Sequence, residues 1–551
     1  MVRKWYNNFS SWTLTPSKTV GSAALLIALA GIVSRILGFF RDRILASQFG
    51  AGDVLDAYYA AFRIPDLLYS LLVLGALSAA FIPVFTELVA EKKQEEAWRL
   101  TSGVLQLLFL VLGSLSLLGI IFAPMLIPLI TPGFSREKTD IVILLTRVML
   151  LSPIFLSVSA VFGSVLVSFK QFVAYSLAPI FYNVGIIIGA VLFVPFFGPV
   201  GLAWGVVMGS MLHMTIQYPS LKKSGFRFVL QPFIFWRDPT VRKVVRLMIP
   251  RSLGLAVSQM SLFTMTIFAS TLASGSLAVF TLANNIQSVP LGLFGIAFSV
   301  AVFPSLAFFS AKKKEKDFFV ILSQTSTRIL FFVVPISMFM VLFRAQFVRV
   351  ILGAGQFDWE DTILTFETLE ILALSLFAQS LIPLFARAFF ALQDTKTPFY
   401  IALVSAGVQI ALIPFFLPAY SVLALALAFS LSNVLNVILL YLFLRSKLTF
   451  WNDREFFLPI IKIIFATLGA GIIAQISKSV FALTIDELDT FAKVFFQLCS
   501  GIAIGGVSFL VFCHWLGVEE LGMVKRFILC KILRQPETAT VAEDHPERGD
   551  W

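Results

Sequence analysis

The sequence predicts an all-α integral membrane protein, a helical bundle that crosses a bilayer about fourteen times. Three observations carry this reading. Of 551 residues, 58% are hydrophobic and only 13% charged, with a mean hydropathy of +0.91, whereas a soluble domain carries about 25% charged residues. Apolar runs recur along the whole chain, each with the ~18 or more residues that cross about 30 Å of hydrocarbon. Strand-like alternation over segments of ~10 residues is absent, which leaves helices as the way to satisfy the backbone inside lipid.

Residues 1–21 read as a polar cytoplasmic N-terminus. Arg3 and Lys4 ahead of Ala28-Leu29-Ala30 give the outline of a cleavable signal peptide. The long polar lead and the apolar continuation to Phe40 favour retention as a first span. Spans are then expected at 22–46, 57–86, 104–130, 141–168, 173–196, 199–219, 246–272, 276–309, 318–343, 362–391, 397–417, 420–444, 456–478 and 490–515. This divides the chain into an N-lobe of six helices (22–222), a linker (223–245), a C-lobe of six (246–446) and two further helices (447–516). After Val518, Lys525, Arg526, Lys531 and Arg534 alternate with Phe527, Ile528, Leu529 and Ile532, as in an amphipathic helix lying on the inner leaflet. A polar tail, expected to be disordered, completes 517–551.

Charge placement orients these spans. Lys92, Lys93, Arg99, Lys170, Lys222, Lys223, Arg227, Arg237, Arg242, Lys243, Lys312, Lys313, Lys314, Lys316, Lys396, Arg445, Lys447 and Arg454 fall in alternate connections. The intervening ones carry few cations, among them Arg136, Lys138, Arg344, Arg349 and Lys478. By the positive-inside rule both termini are cytoplasmic. The net charge of +11 is then attraction to anionic lipid, not to nucleic acid.

An internal repeat is visible at an offset of about 220 residues. Phe162–Lys170 lies on Phe385–Gln393, and Gly75–Pro83 on Gly295–Pro304 with one residue of slip. Six helices separate the copies, so both keep one membrane orientation, giving two lobes related by a parallel pseudo-two-fold, a transporter plan.

The charges inside the spans point to function. Arg35, Gly38 and Asp42 share one face of the first helix, and Arg41 is rotated away from Arg35. The second span carries Asp56, Arg63, Pro65 and Asp66. A charge at this depth costs several kcal/mol unless it faces water or a partner. Arg35, flanked by apolar residues, fits a basic, water-filled cavity for an anionic head group, because a guanidinium grips phosphate bidentately. Arg41 and Arg43 could equally snorkel at the outer interface or neutralise Asp42. Arg251 follows Pro250 at the start of span seven. Asn284, Asn285 and Gln287 lie in span eight, either lining the cavity or bonding helix to helix. Glu367, Glu370 and Arg387 in span ten read as structural partners or coupling sites.

No catalytic constellation is present: there is no HExxH, no Walker loop, and no paired His or Cys ligands. Cys499, Cys513 and Cys530, like His213, His514 and His545, are too scattered for a metal or disulfide framework. The chain is therefore read as a non-enzyme without catalytic residues, metal or cofactor. Its energy would come from a substrate gradient, a monovalent ion or the membrane potential.

At these residues the sequence resembles the MurJ (MviN) family of lipid II flippases, members of the multidrug, oligosaccharidyl-lipid and polysaccharide exporter superfamily. The resemblance rests on Ser34-Arg-Ile-Leu-Gly-Phe-Phe-Arg-Asp42, Phe49-Gly-Ala-Gly52, Asp56-Ala-Tyr-Tyr-Ala-Ala-Phe-Arg-Ile-Pro-Asp-Leu-Leu68 and Gly75–Val84. It continues through Ala178–Asn183, Gly201–Gly205, Phe268–Gly275 and Ala388–Pro398. It implies two six-helix lobes plus two helices, in the cytoplasmic (inner) membrane of a bacterium. It also implies export of the undecaprenyl-diphosphate-linked peptidoglycan precursor by alternating access, for cell-wall building and cell shape. The family's functional arginines match Arg35 and Arg41, and its acids match Asp42 and Asp56. The chain departs from the family pattern where Tyr69 and Ser70 replace two arginines and Leu74 an acid. It departs again where Asn284-Asn285 replaces Asp-Arg and Ser288 a glutamate. Arg63 and Arg251 are read as partial substitutes.

The expected substrate site is thus Arg35, Arg41, Arg63 and Arg251 on the diphosphate, with Asp42, Asp56, Asn284, Asn285 and Gln287 as cavity or gating residues. The expected partners are lipid II or a similar polyprenyl-diphosphate lipid, membrane lipids and cell-wall synthesis proteins, around a monomer. Two other functions compete: a related exporter of a lipid-linked polysaccharide or a drug, and a non-transporting scaffold. A drug antiporter would place acids in its cavity, and a scaffold has no reason to bear the cost of buried arginines.

Overall fold

The computed structural model describes residues 20–73, 76–230, 238–484 and 490–522, without the side chains of 20–25, 76, 78–79, 249–258 and 484. The expected amphipathic tail helix, Cys530, His545, Leu74, Gly75 and the side chain of Arg251 lie outside that description.

Among the described residues every element is helical. In chain order they begin with α1 (Val20–Phe49), α2 (Asp53–Ala61), α3 (Arg63–Leu72), α4 (Ala76–Ala90), α5 (Gln94–Ile130), α6 (Arg136–Met149), α7 (Ser152–Ser168) and α8 (Phe172–Ile188). A short π-helical stretch follows, then α9 (Val194–Phe197), α10 (Val200–Thr215), α11 (Tyr218–Lys223), α12 (Pro239–Ser270) and α13 (Ser276–Pro290). Beyond a second π-helical stretch, Leu291–Ile296, come α14 (Ala297–Ala311), α15 (Glu315–Leu342), α16 (Arg344–Ile351), α17 (Trp359–Leu374) and α18 (Leu376–Ala391). The last are α19 (Lys396–Tyr420), α20 (Leu423–Lys447), α21 (Asp453–Thr484) and α22 (Phe491–Trp515).

Among the described residues ten helical runs are long and apolar enough to cross a membrane, and α17 with α18, bent by 44°, makes an eleventh. The protein is a multi-pass membrane protein. The other three expected spans are helical too but differ in kind. Charged Arg35, Arg41, Asp42 and Arg43 interrupt the apolar run of α1, α2 to α4 form a broken run, and α12 opens with Arg242, Lys243 and Arg246. Fourteen crossings therefore remain an expectation. Span eight is also not one α-helix. Pro290 has no N–H for the carbonyl four residues back, and the ladder widens into the π-helical stretch directly after it.

The residues group into two compact units, each assembled from separate segments. The first takes the described residues up to Val289 with Phe347–Leu372 and Phe399–Ser432; the second takes Pro290–Gln346, Ala373–Pro398 and those from Asn433 onward. The consecutive lobes 22–222 and 246–446 expected from the repeat stand as a proposal. In the first unit Phe81, Phe85, Trp98, Val104 and Val161 form a buried core. There α8 packs on α10 at a distance only glycine permits: a Cβ on Gly185 would sit 2.2 Å from the Gly209 Cα, the small-residue contact by which helices associate in lipid. In the second unit Phe331, Ile463, Ala466, Ala470 and Phe509 join α15, α21 and α22.

The backbone carries its own trace of the repeat. Lys92, Lys170, Lys313 and Gln393 all adopt a left-handed conformation, with φ of 60°, 59°, 55° and 58°. At each, the next residue's N–H returns to a carbonyl five residues back: Lys93 to Leu88, Gln171 to Leu166, Lys314 to Phe309 and Asp394 to Phe389. This is the Schellman closure of a helix C-terminus. Lys92 and Lys313 are 221 residues apart, and Lys170 and Gln393 are 223 apart, matching the offset read from the side chains.

Candidate functional site

The first unit contains a cavity of about 250 Å³. Arg41 and Leu45 of α1 line it, with Tyr58, Tyr59, Phe62, Arg63 and Asp66 from α2 and α3. Leu262 of α12 and Phe280, Thr281, Asn284 and Asn285 of α13 complete the wall. Pro65 explains why the second span breaks here. It cannot donate to the Ala61 carbonyl, so α2 ends at Ala61 and the helix restarts at Arg63 with proline in its first turn, where a missing N–H costs nothing.

Arg41 is the centre of a closed hydrogen-bond network. Its Nε and Nη2 donate to Asp42 Oδ1 at 2.9 and 2.8 Å, and its Nη1 donates to Asn183 Oδ1 at 3.0 Å. Asn183 Nδ2 donates in turn to the Ser34 and Pro179 carbonyls. The other Asp42 oxygen accepts from Asn285 Nδ2 at 3.1 Å. Asp42, 3% exposed, is thereby a paired and bonded buried charge. This network converts Arg41 from a mobile cation into a fixed one.

Arg63 is held more loosely. Its Nε donates to Thr266 Oγ1 at 2.6 Å, and its terminal nitrogens have no hydrogen-bond partner among the described residues. Asp66, one turn on, lines the same cavity and is exposed, with no side-chain hydrogen bond or ion pair among the described residues. Such a wall can take an anion at the Arg63 fork and a hydrogen-bond donor at Asp66.

Other expected site residues are placed elsewhere. Arg35 Nη1 donates to the Val289 carbonyl at 2.9 Å, where Pro290 opens the helix. Arg43 Nη1 and Nη2 bind the carbonyls of Val350 and Gly353 at 2.7 and 3.3 Å, capping the end of α16. Asp56, 1% exposed, does not line the cavity. It accepts from Lys138 Nζ at 2.7 Å and from the Gly275 and Ala278 backbone N–H groups, both at 2.8 Å. Lys138 also reaches Asp53 at 2.6 Å. This clasp ties α2 to α6 and to the turn ahead of α13. Gly275 in that turn has φ +87°, and a Cβ there would meet the Ala51 carbonyl oxygen. Gln287 is buried and donates to Asn284 Oδ1 at 3.3 Å.

The departures at the family's charged positions also have an explanation in packing. Tyr69 lies against the buried core, Ser70 accepts from Gln259 Nε2 at 2.6 Å, and Ser288 donates to the Asn285 carbonyl. Sequence reasoning missed Asn183, Asp66, Tyr58 and Tyr59 as cavity neighbours. For Asn183 a signal existed, since it closes one of the quoted motifs. Among the described residues no group of His, Cys, Asp and Glu converges as a metal site.

The family profile described as Lipid II flippase MurJ matches residues 45–490, a range that includes Arg63, Asp66, Asn284 and Asn285 and begins just after Asp42. A curated relative named probable lipid II flippase MurJ, from Buchnera aphidicola subsp. Schizaphis graminum, is 28% identical over 499 residues, covering 90% of this chain and 96% of its own. A solved structure titled lipid II flippase MurJ, inward closed conformation, is 25% identical. It superposes with a TM-score of 0.72 over 92% of this chain and 100% of its own. An inward-facing multidrug resistance MATE family transporter of the MOP superfamily shares the fold at 14% identity, with a TM-score of 0.63 over 77% of this chain and 98% of its own. The match spans most of the chain at the level of sequence and fold alike: the protein belongs to the MurJ family of lipid II flippases.

Proposed function

We propose that the chain is a lipid II flippase. It carries an undecaprenyl-diphosphate-linked peptidoglycan precursor from the inner to the outer leaflet of a bacterial inner membrane by alternating access, with both termini cytoplasmic. The observation that carries this reading is the cavity wall. Two guanidinium groups, Arg41 and Arg63, line one space, and membership of the family points the same way. Arg41, locked by Asp42 and Asn183, supplies a fixed positive field. Arg63, with its fork open, makes the bidentate contact to a phosphate. Arg35 joins the diphosphate in other states of the cycle, when it leaves the Val289 carbonyl, and Arg251 is a further contact for the diphosphate.

The chain acts without a cofactor, driven by a monovalent ion or the membrane potential, and works as a monomer beside the cell-wall synthesis proteins. Complementation of flippase-depleted cells tests the reading. Wild type restores outward appearance of the precursor, and Arg41→Ala abolishes it while the protein still accumulates in the membrane. Full rescue by both Arg35→Ala and Arg41→Ala would overturn the basic-cavity mechanism.

A further inference from the structure

Away from the cavity, the described residues of the first unit hold a single histidine, His213 of α10. It is half-buried, and its ring meets α7 and α8. The imidazole Nδ1 lies 2.6 Å from Ser159 Oγ. Ser159, 1% exposed, donates to the His213 carbonyl at 3.0 Å and accepts from Gln217 Nε2 at 2.5 Å. Gln217 Nε2 donates to the same carbonyl at 3.1 Å. The Tyr182 ring stands edge-on to the imidazole, 6.4 Å between centroids. The other ring nitrogen, Nε2, has no hydrogen-bond partner among the described residues. Counting bonds at Ser159 assigns the tautomer. A hydroxyl has one proton to give and two lone pairs to fill. With its proton on the His213 carbonyl and one lone pair on Gln217, the other lone pair is filled only if Nδ1 carries a hydrogen. Nε2 is then a bare base, and a proton added there makes the imidazolium without disturbing any bond at Ser159.

No acid holds that proton. Of the elements packed on α10, α7, α9 and the π-helical stretch before α9 carry no charged side chain, and α8 has only Tyr175 and Tyr182 as ionisable groups. α11 brings Tyr218, Lys222 and Lys223. α6 brings Arg136, Glu137, Lys138, Asp140 and Arg147, none of which is paired with His213 among the described residues. A charged ring in this packing meets apolar side chains at a cost, so proton uptake goes with a loosening of α10 from its neighbours. That loosening has a route to the cavity. Tyr182, against the His213 ring, is followed on α8 by Asn183, whose Oδ1 holds Arg41. We infer that His213 Nε2 is a proton-binding site, through which acid loosens α8 from α10 and with it the grip of Asn183 on Arg41, so that transport quickens as pH falls. This rests on the flippase reading above and names the proton as an ion that acts on it.

Lipid II transport by the purified full-length protein in vesicles, at equal pH on both sides, tests this. Wild type runs about threefold faster at about pH 5.5 than at about pH 7.5, the range in which histidine takes up a proton. His213→Gln, which keeps a donor for Ser159, holds the two rates within about 1.5-fold of each other. Ser159→Ala removes the acceptor of the Nδ1 hydrogen and moves the midpoint of the profile about one pH unit towards acid. A response that survives in His213→Gln overturns the inference, even if that variant is slower or melts earlier, because a purely structural histidine would do the same. A response abolished by Asp66→Asn overturns it too, since the proton would then sit in the cavity. Should His213→Gln not accumulate, the Ser159→Ala midpoint decides, and an unmoved midpoint overturns the inference. Wild-type transport that ignores pH, or slows in acid, sinks this inference alone. Wild-type protein that moves no lipid II at either pH sinks the flippase reading with it.

Discussion

Asp56 and Asp66 stand ten residues apart on either side of the break at Phe62, and their surroundings are opposite. Asp56 is 1% exposed and accepts from one ammonium and two backbone N–H groups. Asp66 is exposed to a cavity and accepts nothing from the described side chains. Both are acids inside a predicted span, and hydropathy treats them alike. What separates them is the count of donors each meets. Of these two acids, the one whose bonds are all made by the protein holds the fold together, and the one whose bonds are unmade is left for a ligand.

That contrast can be broken by mutation. The largest effect is expected at the clasp. Asp56→Ala leaves Lys138 with Asp53 alone and strands two buried backbone N–H groups, costing about 3 kcal/mol, seen as a lower melting temperature in detergent and reduced membrane accumulation. Arg63→Ala should do the reverse: outward precursor transport is lost, while stability stays within about 1 kcal/mol of wild type. Asp66→Asn sharpens the contrast further, shifting stability by about 0.5 kcal/mol or less because it breaks no bond in the protein. Equal destabilisation by Asp56→Ala and Asp66→Asn would erase the distinction.

The smallest effect lies in the second unit, in the loop between α18 and α19. Partial burial raises the Asp394 carboxyl, but hydrogen bonds from Lys447 and Thr397 outweigh it and hold the group below the ordinary value of 3.8. Its folded value is depressed, so its contribution is present above the unfolded value and is lost as pH falls through the folded one. Melting below about pH 4 should therefore decline less steeply with acid in Lys447→Ala than in wild type.

Much of this was legible in the chain, for reasons that particular residues show. Among the described residues the expected spans are mostly helical, because long apolar runs leave the backbone no other choice in lipid. The repeat seen between Phe162–Lys170 and Phe385–Gln393 reappears as matched helix ends at Lys170 and Gln393. Arg41, Arg63, Asn284 and Asn285 do meet at one cavity, and Asp42 braces it. The roles of Asp56 and Arg35 were not legible, because their partners, Lys138 and the Val289 carbonyl, lie 82 and 254 residues away. A backbone carbonyl carries no side-chain signal at all. Asp66 was passed over because nothing in a sequence distinguishes a carboxylate with partners from one without.

The central claim is that the basic cavity of the first unit carries a lipid-linked diphosphate across the membrane. Purified protein reconstituted in vesicles with lipid II, and a membrane-impermeant probe of the outer leaflet, tests it most directly. The account predicts that wild type brings precursor to the probe, and that Arg41→Ala and Arg63→Ala leave it at the rate of protein-free vesicles. Wild-type rates in both variants would contradict it.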